Sequence, residues 1–477
     1  MLIYQWIPST PIEHSIQPKD MQMTVSEVLA RFVSETDFSA LNNDNVVAAK
    51  TTISDCIGCT VAGSATEVGR IVRRVAQSSG GEGKATIIGG VSGASAQAAA
   101  LVNGAAAHAL DYDDILWSLY GHPSVTVLSA TLAVAETEGA SGRDLIQAYA
   151  IGVEIIGKLG RAVNPQHYEH GWHATASIGV IGAAAACAKL MRLTEKQIAM
   201  ALGIAASQAS GVRRNFGTMT KPLHAGNAAR AGVFSAELAR DGFTSSLVAF
   251  EGEFGWARTL NARTVPDSDG LQVMLGKPWE LTEPGIVLKR YPSCGGTHCA
   301  LDAMIAIKDQ HNLKLEEIER IDCDASPFAH KVLLYPRPVS GLEGKFSMEF
   351  CLAVAAIEGS AALRHFDEAW INDPRVQALL PRISFNPRAD LEPAISADAV
   401  PAEVTVFARG QALSQKVLVP SGDPRNPMST ADRRAKFMDC ADGILETDVA
   451  EKLFNDWERL DQVAQLDELL SPLRPQN

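Results

Sequence analysis

Three segments of the sequence place a histidine or a lysine at the threshold of an expected helix: Gly121-His122-Pro123-Ser124, Gly171-Trp172-His173-Ala174-Thr175 and Thr220-Lys221-Pro222-Leu223. Pro123 and Pro222 stand where proline suits a first helical turn. A helix start offers free backbone N–H groups and the positive end of a dipole, so converging starts with basic side chains make an anion site. Histidine titrates near neutrality and can also move a proton. Each residue has a plainer role, His122 and His173 as capping or core histidines and Lys221 as a solvated turn lysine. The repeated context favours chemistry.

Three further segments join them. Asn103-Gly-Ala-Ala-Ala-His108-Ala-Leu-Asp111-Tyr112-Asp113-Asp114 puts three carboxylates at an expected helix end near His122, with turn formation as their alternative role. Lys289-Arg290-Tyr291-Pro292-Ser293-Cys294-Gly295-Gly296-Thr297-His298 combines a strand end, a glycine turn and a helix start, a fourth candidate wall. Arg213-Arg214-Asn215-Phe216-Gly217-Thr218 leads into Lys221, and its arginines suit either carboxylate binding or a solvated surface. Cys56 and Cys59 form a C-x-x-C, but Val46, Ala49, Ile53, Ile57 and Val61 recur around them at helical spacing. With no second cysteine or histidine pair to complete four ligands, a buried helix is expected and no metal.

The elements that must position these residues change character along the chain. Residues 25–270 are rich in Ala, Gly, Leu and Val at helical spacing, and stretches such as Ala96–Ala109 and Ile178–Ala188 are apolar nearly all round, which predicts closely packed helices. Ser79–Lys84 and Glu138–Gly142 are expected turns. Over 271–420, strands are expected at Gly285–Tyr291, Ile318–Asp324, Leu379–Phe385, Glu403–Ala408 and Leu413–Pro420, with helices at His298–Gln310 and Ser347–Ile357. Residues 421–477 return to helix, with Asp448–Leu460 and Leu466–Leu470, and are expected to pack back on the first domain. Residues 1–24, with Pro8, Pro11 and Pro18, are expected to be a loose tail rather than a secretory signal. The fold class is mainly α, a large helical domain with a smaller α+β domain.

Composition bounds what such a site can serve. At roughly 150 residues per domain, 477 residues make two or three domains with a sizeable core. Lys plus Arg number 42 against 55 Asp plus Glu, and a net charge of −13 argues against nucleic acid or an anionic membrane as partner. An anionic ligand therefore needs a locally basic pocket. Apolar runs such as Val125–Ala135 and Ile178–Cys187 fall short of the ~20 residues that span a bilayer. Eight cysteines in so long a chain are too few for a disulfide scaffold, and a reducing, cytoplasmic compartment is expected.

The segments Asn103–Ser124, Gly171–Thr175, Asn215–Arg230 and Lys289–Cys294, in this order and spacing, resemble the MmgE/PrpD family, whose members include 2-methylcitrate dehydratase, cis-aconitate decarboxylase and iminodisuccinate epimerase. The resemblance spans about residues 25–460. It implies that the smaller α+β domain is a lid, that the chain forms a homodimer, and that the cleft between domains works without a cofactor on a small di- or tricarboxylate. The family's catalytic residues fall on Asp111, His122, His173 and Lys221, with Lys289 and Cys294 on the lid side. Tyr291 and Arg213 complete the expected substrate contacts. A dehydratase for a 2-methylcitrate-like tricarboxylate is the first expectation: His173 or His122 does acid/base work, Asp111 orients a histidine or shares the proton transfer, and Lys221 holds a carboxylate. An iminodisuccinate-like epimerase comes second. A decarboxylase comes third, because those family members carry histidine where this chain has Cys294 and threonine near Ile115. Outside the family stand an iron–sulfur or metal hydro-lyase using Cys56, Cys59, Cys294 and Cys299, and a non-catalytic polycarboxylate-binding protein.

Overall fold

The computed structural model describes residues 22–78, 82–90, 93–260, 267–391 and 399–474. Of the expected tail, residues 1–21 lie outside the described residues. The chain is mainly α, as expected. Its first domain is built on α1 (Val25–Glu35), α2 (Asn43–Ser64), α3 (Ala96–His108), α4 (Ser124–Glu138), α5 (Gly142–Val163), α6 (Gly179–Leu190), α7 (Glu195–Ala206) and α8 (Thr220–Arg240). Reciprocal bonds between the N-cap and the third residue fix the starts of α1 at Thr24 and Glu27 and of α5 at Ser141 and Asp144. α6 is buried throughout except at Lys189, so its Ala and Gly side chains are chosen for what they leave room for. Cys56 and Cys59 are both buried within α2.

The crossing of α3 and α8 matters most for the site. A methyl added at Gly104 would lie 2.9 Å from the Gly226 Cα, and one added at Gly226 would lie 2.3 Å from the Leu101 carbonyl oxygen. The two backbones touch, which only glycine permits. That contact brings the first turn of α8, with Lys221, beside the end of α3 at His108.

The second domain carries a four-stranded sheet of β1 (Ile318–Ala325), β2 (Ile383–Pro387), β3 (Ala402–Ala408) and β4 (Gln411–Val417) in the order β2-β1-β3-β4. β1 runs parallel to β2 and antiparallel to β3, which pairs antiparallel with β4. β3 alternates buried and half-buried residues, the two-residue period of a sheet with one face covered, and α9 (His298–His311) lies across β3 and β4. α10 (Met348–Glu358) packs on α9. The C-terminal α11 (Thr430–Ala441) and α12 (Thr447–Trp457) lie against α2, where buried Lys436 bridges the Asp55 carboxylate at 2.7 Å and the Tyr112 carbonyl at 2.8 Å.

Three expected elements differ. Gly285–Tyr291 joins no sheet; within it Val287 pairs with Ile115 through two 2.9 Å hydrogen bonds. It is extended because it crosses onto the loop after α3, and that tie delivers Lys289 to the cleft. The strand expected at Leu379–Phe385 begins only at Ile383, since Leu380–Arg382 is a helical turn carrying Pro381. Glu82–Ala85, within an expected turn, is extended and bridges to Ala94. Among the described residues no helix is long and apolar enough to cross a membrane.

Candidate active site

α3 ends at His108, and the chain then turns sharply, with Asp111 in the left-handed region at φ 53°. A non-glycine residue held there is locally strained, a device common at functional sites. The turn sends the Asp113 carboxylate back under two imidazoles: its Oδ2 lies 2.9 Å from His108 Nδ1 and 3.0 Å from His122 Nδ1. His122 Nδ1 also lies 2.7 Å from the Asp114 carbonyl oxygen. Surrounded by acceptors, each Nδ1 carries the proton, and the lone pair is left on Nε2. The orienting carboxylate is therefore Asp113, not Asp111, which stands 4.0 Å from His122 Nε2.

The second helix start is pressed against this loop. A methyl on Gly121 would meet the Thr175 nitrogen at 2.8 Å, and the His122 N–H donates to Thr175 Oγ1 at 3.1 Å. His173 caps the short helix Ala174–Ser177. Its ring stacks on His108 at 5.7 Å between centroids, its Nδ1 lies 3.1 Å from His224 Nδ1, and its Nε2 is buried without a partner.

Lys221 sits in the first turn of α8, inside the helix rather than before it. Its ammonium pairs with Asp111 Oδ1 over the rings of Phe216 and Phe346. From the opposite side Lys289 reaches the same oxygen at 3.2 Å and the Asp111 carbonyl at 2.8 Å. These groups line a cleft of ≈ 580 Å³, solvent mouth included, with Cys294, Ile115, Trp117, Tyr120, Tyr168, Phe328 and Val332 completing its walls.

Burial sets the protonation states. It would raise the Asp111 carboxyl, but Lys221, Lys289 and His122 hold it well below the usual range. Burial lowers His173 well below its ordinary value, with His108 and Lys221 adding to the effect. It lowers His122 against the pull of Asp113, and takes His108 down to about 3. Burial raises the Cys294 thiol, and the Asp111 charge raises it further. At neutral pH the cleft thus presents neutral imidazoles, a protonated thiol, and two ammoniums sharing one carboxylate.

Of the eight residues expected to act, six meet here: Asp111, His122, His173, Lys221, Lys289 and Cys294. Two do not. Tyr291 is buried away from the cleft, its hydroxyl donating to Asp302 at 2.6 Å. Arg213 lies behind the wall, stacked 3.7 Å from the Tyr168 ring and bonded to the Tyr168 carbonyl, so it braces an aromatic lining residue. His298 is also buried, beside the Ser293 carbonyl.

Residues the sequence did not single out are His108 and Asp113 as a working pair, His224, the aromatic wall, and Lys345. Lys345 stands behind Cys294, accepting its N–H at the backbone and donating from Nζ to the Pro292 carbonyl at 2.7 Å. Burial lowers it to about 7. Only the His-x-x-Asp-x-Asp-Asp spacing hinted at any of these.

The expectation that no ligand set is gathered needs correction, since one ligand atom each from His108, Asp111, Asp113 and His122 lies within 4.8 Å of the others. The fit to a divalent cation is nevertheless poor. Lys221 and Lys289 already place two positive charges on Asp111, and both imidazoles turn protonated Nδ1 atoms toward Asp113.

Residues 27–267 match the MmgE/PrpD N-terminal domain and residues 291–459 the MmgE/PrpD C-terminal domain. The chain belongs to the MmgE/PrpD family. Among relatives, human cis-aconitate decarboxylase is 30% identical over 366 residues, 74% of each chain. The cis-aconitate decarboxylase-like protein oryM of Aspergillus oryzae is 26% identical over 471 residues, 94% of this chain and 96% of its own. Cis-aconitate decarboxylase of Aspergillus terreus is 27% identical over 402 residues, 78% of this chain and 81% of its own. A MmgE/PrpD enzyme is therefore the setting in which the cleft works.

Proposed function

We propose that this MmgE/PrpD enzyme is a lyase that decarboxylates an unsaturated tricarboxylate of the cis-aconitate type. The observation that carries the reading is the mixed lining of the cleft, in which two ammoniums and two imidazoles share the walls with an aromatic cluster of Tyr120, Tyr168 and Phe328. A carboxylate placed against Tyr168, Phe328 and Val332 loses its water shell, while a second carboxylate lies against Lys221 and Lys289. Loss of CO2 from the first leaves its bond pair delocalised over the allylic carbons next to the second, where the ammoniums stabilise the growing charge. One proton, delivered by His173, then quenches that carbon. The relatives named for this reaction support the same choice over the dehydratase first expected.

Dehydration of a citrate-like substrate is the second reading. It is favoured by Cys294, where the expected decarboxylase pattern has histidine, and by the surroundings of Ile115, near which that pattern has threonine; both side chains line the cleft. In that reaction a neutral histidine takes the proton beside a carboxylate and an acid protonates the departing hydroxyl. A cytoplasmic homodimer belongs to both readings. The test is a panel of cis-aconitate, citrate and alkylcitrates followed by carbon-13 NMR. Release of labelled CO2 from cis-aconitate supports the first reading; water loss from an alkylcitrate with no CO2 replaces it with the second.

A further inference from the structure

Decarboxylation consumes one solvent proton per turnover, and that proton must reach a carbon inside a cleft whose histidines resist charging. His173 is buried, and its Nε2 has no protein partner. Its other nitrogen lies 3.1 Å from Nδ1 of His224, on α8 three residues beyond Lys221. His224 is only half-buried. Its ring is seated against Gly211, where an added methyl would lie 3.3 Å from Cγ and 3.4 Å from Nδ1, and Gly211 holds a left-handed φ of 106° while its carbonyl accepts the His173 N–H. The two imidazoles are thus built as a pair, one facing the cleft and one reaching toward water.

From this geometry we infer that His224 is a positioning residue that relays protons between solvent and His173. The inference rests on the decarboxylase reading. Two facing Nδ1 atoms share one hydrogen, so each ring's state fixes the other's. With the hydrogen on His224 Nδ1, His173 carries its own on Nε2, directed at substrate. When the carbanion takes that hydrogen, His173 Nδ1 takes the one from His224, and His224 Nε2 takes one from water. One proton enters, one is consumed, and neither ring holds a lasting charge, which suits a site where burial, His108 and Lys221 all oppose imidazolium. The chain resets in reverse once product leaves and water refills the cleft. The groups facing the pair are Lys221, His108 and His122, together with the Phe216 ring edge-on to His173.

The test uses the full-length enzyme with cis-aconitate. His224→Ala and His224→Gln should each lower kcat by roughly 10-fold or more with KM little changed, a fraction of full acid/base catalysis. Added imidazole should restore His224→Ala but not His224→Gln, whose side chain fills the space and cannot pass a proton. Wild-type kcat in His224→Gln would reduce His224 to packing and overturn the relay. So would loss in His224→Ala that no imidazole or small amine restores while thermal melting is unchanged. If the wild type releases no CO2, the decarboxylase reading fails instead, a result the variants do not affect.

Discussion

The two walls of the cleft are made differently. The helical wall is a network in which Asp113 aligns His108 and His122, His173 leans on His108 and His224, and Asp111 is held by the Lys221 ammonium. The facing wall offers one ammonium, one thiol and apolar surface, from Lys289, Cys294, Phe328, Val332 and Phe346. A proton-transfer group needs a partner to fix its tautomer and a low dielectric to sharpen its charge, so it lies where buried hydrogen bonds are dense. A wall that shapes substrate needs only the right surface. The proposed reading accordingly puts proton transfer on the helical side and substrate choice on the side of the smaller domain.

That division can be broken. Asp113→Asn removes the charge that both Nδ1–H groups share and puts an NH2 donor beside them, and kcat should fall by roughly 10²-fold or more while substrate affinity stays near wild type, as measured by steady-state kinetics. Lys221→Met should weaken polycarboxylate binding by about 1.5 to 3 kcal/mol in calorimetric titration at matched salt. An unchanged dissociation constant would remove Lys221 from the anion pocket. Cys294→His, on the facing wall, should alter the ranking among di- and tricarboxylates with less effect on the best kcat; equal loss on every substrate would put chemistry on both walls.

Stability sharpens the same contrast. Burial holds His108 near 3 and His298 near 3 in the fold, against about 6.5 when unfolded. Below that value the unfolded chain binds protons the folded one refuses, so stability is lost as pH falls from about 6.5 toward 3, measured as a falling denaturant midpoint. Chelation should have the smallest effect. Because Asp111 is already held by two lysines, exhaustive EDTA treatment should leave turnover unchanged.

Much of the helical wall was legible in the sequence because helix starts announce themselves locally: His122 before Pro123, His173 before Ala174, Lys221 before Pro222. The facing wall was less so. Gly285–Tyr291 has a strand's composition, yet its partner is a loop some 170 residues earlier, which no local pattern carries. Tyr291 and Arg213 share their segments with the cleft residues Lys289 and Phe216, and only tertiary partners, Asp302 for Tyr291 and the Tyr168 ring for Arg213, hold them away from it. Asp113 stands in the sequence as one of three candidate carboxylates, but its pairing with His108, and the place of His224, depend on contacts that exist only in the folded chain.

The central claim, that a neutral histidine of the helical wall moves a proton at carbon beside a carboxylate, is tested most directly by NMR in D2O. Wild-type enzyme and His173→Ala, matched for thermal melting, are given cis-aconitate, and deuterium in the product is followed over time. The account predicts one deuterium at a single carbon in the wild-type product and a rate lower by roughly 10²-fold or more in the variant. Equal rates of deuterium incorporation by both proteins would contradict it.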